Sequence, residues 1–214
     1  SLTLSYDKSG NLITIKDNLN RVIQLAYNNN GKLEKITGES GKTCTYKYSN
    51  DELVYARDSE NNVYEYKYSS NNRHNIVEIK YQDNTKLQIG YNDVKKAETV
   101  AWVKDRDGTL TEYNYGGDDS GEAAYFTEVL TKASDGKLIT KSKYEYLEKV
   151  KADGERFTYK LATEVDGDRT ETVYNENSLP VSITRNGAVT AFEYDKKGHV
   201  TKKTTPTEIT QLSY

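Results

Sequence analysis

This 214-residue sequence has no methionine, one cysteine, two prolines, two histidines and one tryptophan. Each shortage removes a class of chemistry. Cys44 has no second thiol to pair with, so no internal disulfide forms, and its place between Thr43 and Thr45 reads as a small buried packing residue. His74 and His199 lie far apart, without a His-x-x-x-His or Cys-x-x-Cys spacing, so both read as solvated loop residues and no zinc site is expected. No apolar run is long enough for a transmembrane helix, and no signal peptide or lipidation motif is present. The chain opens directly inside a repeat at Leu4-Ser5-Tyr6, as an excised segment would. Charge of one sign is also missing: 30 Lys and Arg stand against 33 Asp and Glu, which excludes a basic field for nucleic acid. Only 35% of residues are hydrophobic, so a thick compact core is not expected. Nor does any stretch sustain apolar residues at 3- and 4-residue spacing, which argues against helices.

What the chain does have is tyrosine, 19 against 3 Phe. Ten of them, Tyr6, Tyr27, Tyr48, Tyr68, Tyr91, Tyr115, Tyr146, Tyr174, Tyr194 and Tyr214, recur at steps of 21, 21, 20, 23, 24, 31, 28, 20 and 20 residues. A period of this size marks a repeat array, in which each unit buries its apolar side only against its neighbours. The residues around each anchor define the unit. Tyr6-Asp7-Lys8-Ser9-Gly10-Asn11-Leu12, Tyr27-Asn28-Asn29-Asn30-Gly31-Lys32-Leu33 and Tyr194-Asp195-Lys196-Lys197-Gly198-His199-Val200 share one pattern, and Tyr174-Asn175-Glu176-Asn177-Ser178-Leu179 is a degenerate copy. Asp or Asn bonds the backbone two residues on and Gly accepts positive φ, so each anchor ends a strand at a tight turn.

About ten residues later comes a second turn, at Asp17-Asn18, Gly38 to Gly41, Asp58 to Asn62, Asp83-Asn84, Asp107-Gly108, Asp135-Gly136, Asp153-Gly154, Asp166-Gly167 and Asn186-Gly187. Two strands per repeat follow. In Val63-Tyr64-Glu65-Tyr66-Lys67-Tyr68 the aromatics take one side and Val63, Glu65 and Lys67 the other. Two residues before the anchors runs a second column, Leu4, Leu25, Tyr46, Tyr66, Ile89, Tyr113, Tyr144, Thr172, Phe192 and Leu212. The predicted fold is all-β: an extended, twisted and curved antiparallel ribbon of about twenty strands in stacked hairpins, spiralling or partly closed, without a helical domain. It is predicted as a single array over 1–214, regular at 4–68 and 172–214 and irregular over 69–171, where insertions would project as loops.

The Tyr-Asp-x-x-Gly-x-Leu turn, with a second turn half a period later, resembles the Rhs or YD repeat of large bacterial surface and secreted proteins and of animal teneurins. The resemblance implies a spiralling ribbon of hairpins that closes, in complete members, into a hollow shell around a toxic domain. It also implies a bacterial secreted or cell-surface location. Asn11, Lys32 and His199 stand where many family repeats carry Arg, and the Asp-Pro-rich segment before the self-cleavage site of toxin-bearing members is missing.

Candidate chemistry is sparse, and no cofactor is expected. Gly41-Lys42-Thr43 ends like a phosphate loop, but Ile36 stands where its first Gly belongs, and a turn between strands is the wrong context. No Gly-x-Ser-x-Gly elbow occurs. Asp105-Arg106-Asp107-Gly108 and Asp166-Gly167-Asp168 read as turns, and Gly116 to Glu122 as a mobile loop. In that loop Asp118, Asp119 and Glu122 are the oxygen ligands calcium would take, although the twelve-residue calcium-loop pattern is absent. Trp102 sits among apolar neighbours and reads as packing, with a ligand-stacking platform as the alternative.

Three functions are weighed. The first is a non-catalytic structural and interaction module: shell wall, spacer or adhesive scaffold, with partners being neighbouring repeats or other chains at β-edges. The second is a carbohydrate-binding surface using Tyr and Trp. The third is a polysaccharide-cleaving enzyme using tyrosines beside Arg73, Arg106 or Arg169, for which no positioned acid–base set is visible.

Overall fold

The computed structural model describes residues 1–71, 74–92, 99–118 and 124–214, with residue 118 described by its backbone alone. Among these residues there are nineteen strands and no helix, and hence none long and apolar enough to cross a membrane. The chain forms two compact units, Ser1–Asp107 and Gly108–Tyr214.

The first unit contains ten strands: β1 (Leu2–Tyr6), β2 (Leu12–Asp17), β3 (Val22–Tyr27), β4 (Leu33–Thr37), β5 (Thr43–Ser49), β6 (Glu52–Arg57), β7 (Val63–Tyr68), β8 (Ile76–Tyr81), β9 (Lys86–Tyr91) and β10 (Val100–Lys104). Each pairs antiparallel with the next. The second unit contains β11 (Leu110–Asp118), β12 (Ala124–Lys132), β13 (Leu138–Val150), β14 (Arg156–Val165), β15 (Asp168–Tyr174), β16 (Pro180–Arg185), β17 (Ala188–Tyr194), β18 (Val200–Thr204) and β19 (Ile209–Gln211). It too is an antiparallel meander. No pairing among the described residues joins β1 to β10 or β11 to β19, so neither meander closes into a barrel.

The turn chemistry sets the register. At the first anchor Gly10 N–H donates to the Asp7 carbonyl, Asp7 N–H donates to the Asn11 carbonyl, and Asp7 Oδ1 accepts from both Ser9 and Asn11 N–H groups at 2.8 Å. Gly10 takes φ +86°, a left-handed value that a side chain disfavours. The register then skips one residue on the outgoing strand: Tyr6 faces Leu12 while Ser5 faces Thr14, leaving Ile13 as a bulge. The same skip follows Tyr27, Tyr48, Tyr68, Tyr174 and Tyr194. An extra residue of this kind bends the strand and strengthens its twist at the anchor. Three hairpins, the one after Tyr48 among them, use a two-residue turn with both residues left-handed, at Asn50-Asp51, Asp166-Gly167 and Asn186-Gly187, the form whose twist matches the flanking strands.

Each unit is one sheet layer, because the sequence supplies too few apolar residues for a second. Ala56 and Ala162 are the only buried apolar residues among those described. Ala56 is buried because it pairs with Tyr46 on one side and Tyr64 on the other. On the opposite face Glu78 is buried at 7% exposure, its carboxylate 2.9 Å from Lys67 and 3.2 Å from Lys86. Those two ammonium groups, Lys67 foremost, hold its carboxyl below the ordinary range against the desolvation that opposes them.

In the described part of the stretched middle the strands are long: β13 runs for 13 residues and β14 for 10. Alternation continues through both, so pairing continues with it. Gly116, Gly117 and Asp118 likewise belong to β11 and not to a loop.

Candidate functional site

The anchor tyrosines are built into a repeated contact. Tyr27, Tyr48, Tyr68 and Tyr91 donate their hydroxyls to the carbonyls of Leu12, Leu33, Leu53 and Ile76 at 2.9–3.0 Å. Tyr194 does the same to Pro180 at 2.6 Å. Each acceptor immediately precedes a bulged residue, where the ladder is locally disrupted. Burial pushes the hydroxyls of Tyr66, Tyr91, Tyr115 and Tyr194 above the ordinary phenol range. Tyr115 stacks on Tyr113 at 6.4 Å, Tyr146 and Tyr174 border a shared cleft, and Tyr6 on the outermost strand is 57% exposed. Tyr214 lies beyond β19, its ring 4.9 Å from that of His199.

A second relation escaped sequence reading because it joins residues through register. Gly90 pairs with Trp102, Gly116 with Phe126 and Gly117 with Tyr125. In each pair the ring lies over the glycine backbone: a Cβ on Gly90 would fall 2.1 Å from Trp102 Nε1, and one on Gly116 would fall 2.2 Å from Phe126 Cε1. Trp102 is therefore a cover for a glycine rather than a core residue, and it keeps 38% exposure. Three mid-strand glycines opposite three aromatics were the signal available in the sequence.

Successive turns are separated by gaps along the edges of the sheet. Some are bridged: Lys32 Nζ donates to the Asp51 carbonyl at 3.0 Å, and Glu52 accepts the His74 N–H at 2.8 Å. Lys42 of the Gly41-Lys42-Thr43 turn pairs with Glu60. Other gaps remain as clefts. One of about 500 Å³ is lined by Asn62, Tyr64, Tyr81 and Arg106, with the two tyrosine rings edge to face at 5.8 Å. Arg106 lies 4.2 Å from the Tyr81 ring centre, and its Nε donates to Thr85 Oγ1 at 2.7 Å while its fork also pairs with Asp83.

The remaining candidates do not converge. Arg73, Asp119 and Glu122 lie outside the described residues, and of Asp118 only the strand backbone is described. No group of three or more His, Cys, Asp or Glu residues suited to a metal occurs among the described residues. Arg169 sits on the charged face between Glu145, Glu164 and Glu171, an ion-pair network rather than a base beside a tyrosine. Cys44 is half-buried, facing Ile36 across the strand pair and sharing a side with Tyr46. His199 closes its own turn, with Nδ1 3.0 Å from Asp195 Oδ2, as Asn11, Arg21 and Asn62 do toward Asp7, Asp17 and Asp58.

The RHS repeat family model matches residues 6–43, so the resemblance read from the tyrosine turns holds across the first two anchors. Among solved structures, the chain is similar to one in the crystal structure of TcdB2-TccC3-TEV, at 9% identity and a TM-score of 0.33. That similarity covers 94% of the present chain and 14% of the other. A comparison with curated proteins gives no match.

Proposed function

We propose that the chain is a non-catalytic structural module: a wall or spacer segment of a larger bacterial repeat protein that is secreted or displayed at the cell surface. The observation that carries this reading is the tyrosine contact. In both units anchor hydroxyls are tied to the strand before them, so Tyr27, Tyr48, Tyr68, Tyr91 and Tyr194 serve to hold hairpins together. The RHS repeat at 6–43 supports the same role, since the resemblance implies a ribbon that walls off other chain segments. Its partners are then neighbouring repeats or other protein chains meeting the ribbon at strand edges.

Protease protection tests the wall role. In the native protein, trimming of the flanking chain by a nonspecific protease should accelerate when residues 1–214 are deleted. An unchanged digestion pattern would remove the wall reading.

The cleft at Tyr64, Tyr81 and Arg106 favours a second reading, a surface for carbohydrate. Two rings at right angles, bordered by an amide and a guanidinium, offer both a stacking face and polar donors. Silence of the purified chain on a glycan array would count against it.

A further inference from the structure

Ten turns among the described residues share one hydrogen-bond frame, in which the first N–H donates to the fifth carbonyl and the fourth N–H to the first carbonyl. They differ in what meets the N–H groups of the third and fifth residues. Six begin with Asp or Asn, at Asp7, Asp17, Asn28, Asp58, Asn175 and Asp195, and there one side-chain oxygen accepts both N–H groups at 2.8–3.0 Å. Three begin with Tyr81, Ala133 or Lys151, and the third residue supplies the oxygen instead: Asp83, Asp135 and Asp153 accept the fifth N–H at 2.9–3.0 Å. The tenth spans 38–42. Its frame is intact, with Gly38 N–H 2.9 Å from the Lys42 carbonyl and Gly41 N–H 3.0 Å from that of Gly38. Gly38 brings no side chain, however, and no protein oxygen accepts from the N–H of Ser40 or of Lys42.

We propose that the turn at 38–42 binds the carboxylate of an aspartate side chain carried by another protein chain.

The nine counterparts select the ligand. In each of them the fifth N–H meets an oxygen that arrives on a single methylene stem, and that oxygen belongs to Asp everywhere except at Asn28 and Asn175. Room for such a stem is open at 38: a Cβ on Gly38 would lie 3.8 Å from its nearest neighbour, the Lys42 carbonyl oxygen, and the residue does not take a left-handed φ. Backbone N–H groups left without an internal oxygen make a small anion-binding concavity. The fifth residue completes it. Asn11, Arg21, Asn62 and His199 meet the second oxygen of Asp7, Asp17, Asp58 and Asp195, and in this turn their place is held by Lys42. Lys42 pairs with Glu60 through side chains 55% and 65% exposed, a pairing too weak to withhold the ammonium from an incoming carboxylate.

Charge sets the class of anion. Glu39 inside the turn and Glu60 beside Lys42 repel a doubly charged phosphate about twice as strongly as a singly charged carboxylate. A uronic acid carries its carboxylate on a ring carbon, which is bulkier than the stem Gly38 leaves room for.

The test titrates the isotope-labelled 214-residue chain with aspartate blocked at both backbone ends. Saturable shifts of the Ser40 and Lys42 amides are expected in the millimolar range, while the Leu19 and Arg21 amides, already met by Asp17, stay in place. Gly38→Asp installs the missing carboxylate, so it should abolish those shifts and raise Tm by about 2–4 °C. Gly38→Ala adds only a methyl group and should keep the shifts. Lys42→Gln should weaken binding about threefold. No saturable shift in the parent chain overturns the proposal, as does binding that survives Gly38→Asp, vanishes equally in Gly38→Ala or is indifferent to Lys42→Gln. Blocked asparagine, inorganic phosphate or glucuronate binding as tightly as blocked aspartate overturns the choice of ligand, since a charged acceptor on a slender stem is what the turn selects. None of these outcomes bears on the wall role, which protease protection tests separately.

Discussion

The hydroxyl of Tyr27 donates to the carbonyl of Leu12, and Leu12 is the residue that faces Tyr6, the anchor one repeat earlier. Tyr48 stands in the same relation to Leu33, which faces Tyr27, and Tyr68 to Leu53, which faces Tyr48. In the second unit Tyr194 reaches Pro180, which faces Tyr174. Each of these anchors is thereby tied to its predecessor through one residue at the start of the intervening strand.

Removing the oxygen alone tests that tie. Tyr48→Phe keeps the ring and deletes the donor, so a loss of about 1 kcal/mol is expected. For a chain of this length that is a fall of about 2–4 °C in Tm. Tyr214→Phe, at a ring that is 78% exposed, should leave the melting curve in place. Equal responses from the two variants would remove the hydroxyl from the stability account.

Gly90 and Trp102 give a coupled pair. Gly90→Val puts a branched side chain where the indole lies, so the variant should melt earlier and its Trp emission should shift to the red as the ring is displaced. Trp102→Ala should lessen the further damage caused by Gly90→Val. Strict additivity of the two losses would show that the ring does not depend on that glycine.

Alkaline pH should weaken the fold. The half-buried hydroxyls of Tyr66, Tyr91 and Tyr194, partly desolvated, hold their protons above the ordinary phenol value of about 10. A group raised in this way contributes stability that is complete below the unfolded value and is lost as pH rises through the folded one. Denaturant midpoints should therefore hold steady up to about pH 10 and fall beyond it, in step with tyrosinate absorbance. A midpoint unmoved while the tyrosines ionise would contradict this.

Turn aspartates predict the opposite limb. The Asn62 side chain, followed by the N–H groups of Asn62 and Glu60, holds the Asp58 carboxyl below its usual range. Stability from such a group is present above the unfolded value of about 3.9 and is lost as pH falls through the lower folded one. Asp58→Asn keeps an oxygen for the Glu60 and Asn62 N–H groups, whereas Asp58→Ala keeps none. Melting should drop further for the alanine variant, and Asp58→Asn should flatten the acid limb.

Much of this was legible in the sequence because the determinants are local. Alternation around Tyr64, Tyr66 and Tyr68 fixed the faces, and the Asp or Asn four residues before the residue that follows Gly fixed the turns. What the sequence withheld depends on register. Gly116-Gly117 reads as a loop until Phe126 and Tyr125 are seen lying across it. The fate of the stretched repeats was hidden for a related reason, since thirteen alternating residues in β13 carry no local sign that their partners extend equally far. The clefts on the tyrosine face are likewise gaps between turns, so no single segment spells them out.

The chain of tyrosine contacts has a consequence for how such a gene can change length. A duplicated stretch spanning one full period would bring its own donor and its own acceptor, and the neighbours on either side would find the bonds they had before. Unequal crossing-over in whole periods is thus structurally silent, whereas a half-period insertion would strand one hydroxyl and one carbonyl at the junction.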